Sequence, residues 1–135
     1  MKRNHFFLLA FLLCGTLSLS AQPDFNNCAA AFLGQKRMVN EYTTTGFCEV
    51  NQSEKGLLSV CQISLNEDGD IKGRETEFMV AIRDGATQTY WMFSAESYKK
   101  IAIEKILSRC KPGDKIVLMT RDREWALPHA EITVK

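Results

Sequence analysis

Two stretches and the turn between them decide the fold: Glu77-Phe78-Met79-Val80-Ala81-Ile82-Arg83, then Asp84-Gly85, then Thr87-Gln88-Thr89-Tyr90-Trp91-Met92-Phe93. The first is a short apolar run, and the second is dense in β-branched and aromatic residues, which fit a pleated sheet surface. Asp-Gly between such runs is a hairpin signal, because the tight turn needs residues that tolerate positive φ. Downstream the period changes from two to 3.6. Ile103, Ile106, Leu107 and Cys110 fall at i, i+3, i+4 and i+7 and predict a helix over about 98–110. Ser94 or Ser97 offers a start, and Lys111-Pro112-Gly113 ends it. Asp114-Lys115 leads into a strand at Ile116 to Thr120, Arg121 to Glu124 turns, and Trp125–Leu127 with Glu131–Val134 closes the chain as strand.

Upstream, Phe47–Val50 and Leu57–Leu65 read as strands on either side of the turn Asn51–Gly56. In the second, Leu57, Cys61, Ile63 and Leu65 share one face at period two. Asn66 to Gly73 reads as a polar loop, and Asp24 to Gln35 as a short N-terminal helix capped by Asn26 or Asn27 and stopped at Gly34. The order predicts an α+β fold with a mostly antiparallel sheet, one main helix and one short one. From Leu57 onward the strand, hairpin, helix and Pro112-Gly113-Asp114-Lys115-Ile116-Val117-Leu118 resemble an OB-fold, which implies a five-stranded barrel.

The N-terminus gives an address. Lys2 and Arg3 head an almost unbroken apolar run from Phe6 to Leu19, ended by Ser20-Ala21 before Gln22-Pro23. That pattern predicts a cleaved signal peptide over 1–21 and one exported domain over 22–135, in the periplasm or outside the cell. The apolar run falls short of the roughly 20 residues a membrane helix needs, so no span is expected in the mature chain. Lipidation at Cys14 is the weaker alternative, because Leu13 stands where a lipoprotein signal carries a small residue. Without residues 1–21 the net charge becomes −1, which gives no general pull toward nucleic acid or anionic membrane. The charge is uneven: residues 22–96 carry −5 and residues 97–135 carry +4. Attraction between the two halves within one fold is the simple expectation.

Four cysteines remain, Cys28, Cys48, Cys61 and Cys110. In an exported chain an even count predicts two disulfides out of three pairings. A hairpin across Asn51–Gly56 would set Cys48 opposite Cys61, leaving Cys28 to Cys110. A bridge closing so long a loop contributes on the order of 4 kcal/mol. There is no Cys-x-x-Cys and only one mature histidine, so a metal site and a cofactor are not expected.

Chemistry-bearing residues are sparse. His129 with Glu131 is the one acid–base pair that could serve an enzyme, with no nucleophile motif beside it. Asn66, Asp68, Asp70 and Glu77 stand at positions 1, 3, 5 and 12 of a calcium-loop spacing, but the glycine is misplaced and the flanks read as strands. Trp91, Phe93, Lys99, Lys100, Lys105 and Arg109 gather aromatic and basic side chains late in the chain. On an OB-fold such a set could serve single strands, but export and the neutral net charge argue against nucleic acid. The expectation is a non-catalytic binding module of the bacterial envelope whose partner is another envelope or secreted protein. An OB-like domain binding a small ligand or ion through loops Asn66–Gly73 and Arg121–Glu124 is the alternative, and a small enzyme using His129 is the third.

Overall fold

The computed structural model describes residues 28–66, 69–122 and 125–135. They form a mostly β molecule: ten strands in two five-stranded sheets, and one helix of five residues. Strands β1 (Cys28–Leu33), β2 (Lys36–Arg37), β4 (Leu57–Asn66), β5 (Gly69–Thr76) and β8 (Lys100–Ala102) make the first sheet. Its centre is the long β4, which pairs with β1 on one edge, while β5 takes Val60 to Asn66 and β8 takes Leu57 to Ser59. The second sheet runs β3 (Cys48–Val50), β10 (Glu131–Val134), β9 (Lys115–Thr120), β6 (Phe78–Arg83), β7 (Tyr90–Met92). Only β3 with β10 is parallel. The strand orders describe two separate open sheets, not the closed barrel expected from the OB-fold resemblance.

The apolar faces meet in one core. Ala29, Ala31, Leu58 and Val60 come from the first sheet, and Phe78, Val80, Ile82, Ile116, Leu118, Ile132 and Val134 from the second. Each fully buried Val, Leu, Ile or Phe contributes about 1.5–3 kcal/mol relative to exposure. Glu77 is the single residue between β5 and β6, so one nearly continuous extended segment carries the chain from sheet to sheet. A smaller cluster, Ala30, Phe32, Cys61 and Ile63, occupies the opposite face of β1 and β4.

Four expectations are corrected. Residues 28–33 are a strand, not part of a helix: alternate residues serve the two clusters, and pairing with β4 outweighs the helical preference of Ala29-Ala30-Ala31. The start at Asp24 lies outside the described residues. The main helix, α1, spans Ile103–Leu107 only, because Lys100–Ala102 add to β4 as a strand and Ala102 offers no side-chain cap. Its apolar stripe is nonetheless right, with Ile103, Ile106, Leu107 and Cys110 all buried. The polar stretch after Asn66 is a hairpin closed at Asn66↔Gly69, not a loop extending to Gly73. Finally, β3 and β4 do not pair: β3 joins β10 and β4 joins β1, so the premise that opposed Cys48 to Cys61 fails.

One buried carboxylate ties two turns together. Asp114 accepts hydrogen bonds from the Gly85 N–H through Oδ1 at 3.0 Å and from the Lys111 N–H through Oδ2 at 3.0 Å. At Gly85 the turns approach so closely that a Cβ would sit 2.2 Å from the Gly113 carbonyl oxygen. Asp84 meanwhile folds its own turn, its Oδ1 accepting from the N–H groups of Ala86 (2.8 Å) and Thr87 (2.9 Å). These bonds, with Lys111 beside them, hold the Asp84 carboxyl down at about 2. The expected hairpin is present, but its turn is longer than Asp84-Gly85: the positive φ falls on Gln88, and the returning strand is Tyr90–Met92 instead of Thr87–Phe93.

Candidate docking edge and cleft

Strand β7 ends the second sheet. Hydrogen bonds from Asp84 N–H to the Thr89 carbonyl and from Phe93 N–H to the Val80 carbonyl fix the phase of the ladder. Ile82 and Trp91 are therefore a hydrogen-bonded pair, and the backbone groups of Tyr90 and Met92 point away from β6. All three side chains are exposed: Tyr90 58%, Trp91 39% and Met92 45%. Alternation places Tyr90 and Met92 on the outer face with Met79, Ala81, Val117 and Met119, and Trp91 on the face toward the core. An edge strand with an open backbone and aromatic side chains is a template for another chain.

Beyond β7 the chain leaves the second sheet through Tyr98, which exchanges backbone hydrogen bonds with Phe78, and enters the first at Lys100. This crossing and α1 enclose an open cleft of about 640 Å³, lined by Leu57, Phe93, Ser94, Glu96, Tyr98, Lys100, Ala102, Lys105 and Arg109. Arg109 lies over the Phe93 ring at 5.0 Å and donates to the Phe93 carbonyl at 3.3 Å, which fixes its guanidinium at the rim. Lys100 pairs with Glu75 at 3.0 Å. Among the described residues neither Lys105 nor Arg109 forms an ion pair within 4 Å, so both leave their charge to the cleft.

Of the six residues singled out from the sequence, the structure brings Phe93, Lys100, Lys105 and Arg109 into this cleft. Lys99 is exposed beside Lys100, and Trp91 sits on the adjoining edge. Sequence reasoning missed Tyr90 and Met92, the most exposed pair of β7, because a two-sided strand and an edge strand share one pattern. It also missed Leu57, half-exposed at the cleft wall; its place on the face of Cys61 and Ile63 suggested burial.

The other expected sites separate. Asp68 lies outside the described residues, while Asn66 and Asp70 belong to the end of the β4–β5 hairpin. Glu77 stands at the far end of β5, seven residues on, or roughly 23 Å at strand rise, too far to complete a shared ion site with that hairpin tip. No cluster of three His, Cys, Asp or Glu fit for a metal occurs among the described residues. His129 packs edge-on against Tyr42 with ring centroids 5.4 Å apart, and its Nε2 is buried without a hydrogen-bond partner. Glu131 turns to Arg83 (3.5 Å) and Lys115 (3.3 Å) on the outer face of the second sheet.

The four cysteines among the described residues are buried free thiols, and neither expected disulfide joins them. Cys28 and Cys61 share a face of β1 and β4, offset by one diagonal step, since Cys28 opposes Ile63 and Ala30 opposes Cys61. Cys48 lies in the second sheet, its Sγ 3.9 Å from the His129 carbonyl oxygen. Burial pushes the Cys48 thiol up to about 11; burial, with the Asp114 charge adding to it, does the same for Cys110. Burial, and Cys28 beside it, push the Tyr42 phenol well above its ordinary value. Its hydroxyl donates to the Ala29 carbonyl at 2.9 Å.

No helix among the described residues is long and apolar enough to cross a membrane. No family model, curated protein or solved structure matches the chain significantly.

Proposed function

We propose that the protein is an exported, non-catalytic binding module of the bacterial envelope, and that it docks another envelope or secreted protein on the β7 edge and the cleft beside it. The observation that carries this reading is β7 itself: an open sheet edge with all three side chains exposed, two of them aromatic. An extended partner segment adds to such an edge through backbone hydrogen bonds, while flanking pockets select its side chains. Lys105 and Arg109 favour a segment that carries a carboxylate. The engagement of Glu131 by Arg83 and Lys115 speaks against a His129–Glu131 pair at work. Cys48 and Cys110, raised to about 11, stay protonated at neutral pH and make weak nucleophiles.

The test is affinity capture from envelope and culture fluid with the wild-type protein and with Met92→Pro as baits. Proline at Met92 removes an outward N–H while leaving the bonds of the Ile82–Trp91 pair in place. A stoichiometric protein partner held by the wild type and lost by Met92→Pro is the expected result. Equal capture by both baits would rule out docking on this edge.

A second reading has one observation in its favour: the cleft volume falls within the range of small-molecule sites, and Lys105 and Arg109 on its lining give it cations for an anionic ligand. In that case Arg109→Ala abolishes ligand-induced thermal stabilisation and Met92→Pro does not.

A further inference from the structure

Three of the five methionines in the sequence, Met79, Met92 and Met119, stand together on the outer face of the second sheet. Met79 and Met119 are directly opposed across β6 and β9. Met92 opposes Ala81 on the other side of β6, one pleat from Met79 on the same face. Directly opposed residues on one sheet face have Cβ atoms about 4.5–5.5 Å apart, and diagonal neighbours lie about 7–8 Å apart. Met92 and Met119 flank Met79 at roughly 12 Å by strand spacing and rise, a gap that two flexible thioether side chains can close over it. Ala81 and Val117 lie between them, and Ala81 is only 4% exposed, so the longer side chains around it already lean over this part of the face. Met92 and Met119 are exposed, 45% and 37%, where packing gives no reason for the residue type.

We propose that these three sulfurs form a surface site for a soft monovalent metal ion, copper(I) or its redox-inert stand-in silver(I). Neutral thioethers select soft d10 cations and have little affinity for calcium, magnesium or zinc. Three sulfurs converging above Met79 supply trigonal coordination without deprotonation, so binding releases no proton. One neighbour opposes it: Arg121 directs Nη2 to the Met79 sulfur at 3.8 Å and must swing aside. Arg121 is exposed, so the movement costs little packing, but its charge weakens the site. Arg83 and Lys115, farther along the same face, share Glu131.

The four buried thiols also have affinity for these ions, so the readout must report sulfur by sulfur. The experiment is a silver(I) titration of the full chain labelled with 13C at the methionine ε-methyl groups, followed by NMR. Up to one equivalent, the methyl signals of Met79, Met92 and Met119 are expected to shift together while that of Met38 stays. Met79→Leu, Met92→Leu and Met119→Leu conserve volume on an exposed face and should each lower the affinity about tenfold or more. Arg121→Gln should raise it severalfold. Silver taken up with these methyl signals unmoved, or a shift confined to one of the three, would overturn the proposal. Partner capture by Met119→Leu, a residue outside β7 and the cleft, stays at the wild-type level, which separates this site from docking on the β7 edge.

Discussion

At the scale of single residues, the chain concentrates its polar constraint where the Asp84 and Lys111 turns meet. Asp114 is 4% exposed and satisfies two backbone donors that have no other partner of this quality. Asp114→Ala orphans both and should cost about 2–4 kcal/mol in urea unfolding. Gly85→Ala, forced against the Gly113 carbonyl, should cost about 1–3 kcal/mol. The neighbouring Asp84 adds a pH dependence. Its carboxyl is depressed to about 2 from an ordinary 3.8, so its contribution is complete above about pH 4 and lost as pH falls toward 2. Asp84→Asn keeps an oxygen for the turn but has no such titration. The gap in unfolding midpoint between wild type and Asp84→Asn should therefore shrink between pH 4 and pH 2; a constant gap would contradict the assignment. The sequence made Asp84-Gly85 legible as a turn, since that reading needs only local chemistry. The role of Asp114 was hidden, because its partner at Gly85 is 29 residues away.

At the scale of elements, strands were legible wherever one face is buried and the other is not. Phe78 to Arg83 and Lys115 to Thr120 follow the expected ranges closely. β1 was illegible for the opposite reason: both of its faces are covered, so no alternation of polarity marks it, and three alanines suit a helix as well. The placement carries a test. Ala31 is 2% exposed between the sheets, and Ala31→Leu should destabilise by about 1–3 kcal/mol through overpacking. A neutral substitution there would argue against the strand. The helix shrank because its stripe continues inward beyond α1: Ile101 is buried from β8 and Cys110 from the turn after it, which prolongs the periodic signal past both ends. Of the candidate site, the basic and aromatic composition was legible; its division between an edge strand and a cleft depends on β8 leaving the helix to join β4.

At the scale of the molecule, the charge asymmetry resolves into contacts. Lys100 with Glu75, Lys111 with Asp84 and Lys135 with Glu49 each join the basic last third of the chain to its acidic remainder. All are at least partly exposed, and such pairs contribute between 0 and about 1 kcal/mol each. Raising sodium chloride from 50 mM to 1 M should lower stability by no more than about 2 kcal/mol, after allowance for the general effect of salt. A larger fall would mean that the halves depend on charge more than on their shared core. The topology has a consequence in time as well. β10 lies inside the second sheet, between β3 and β9, and supplies Ile132 and Val134 to the core. Strand β3 waits for it across about eighty residues. An emerging chain is therefore unable to complete this sheet until β10, about eighty residues after β3, has been synthesised. If the chain leaves the cytoplasm through a narrow channel, that delay keeps it threadable during passage and postpones folding to the far side.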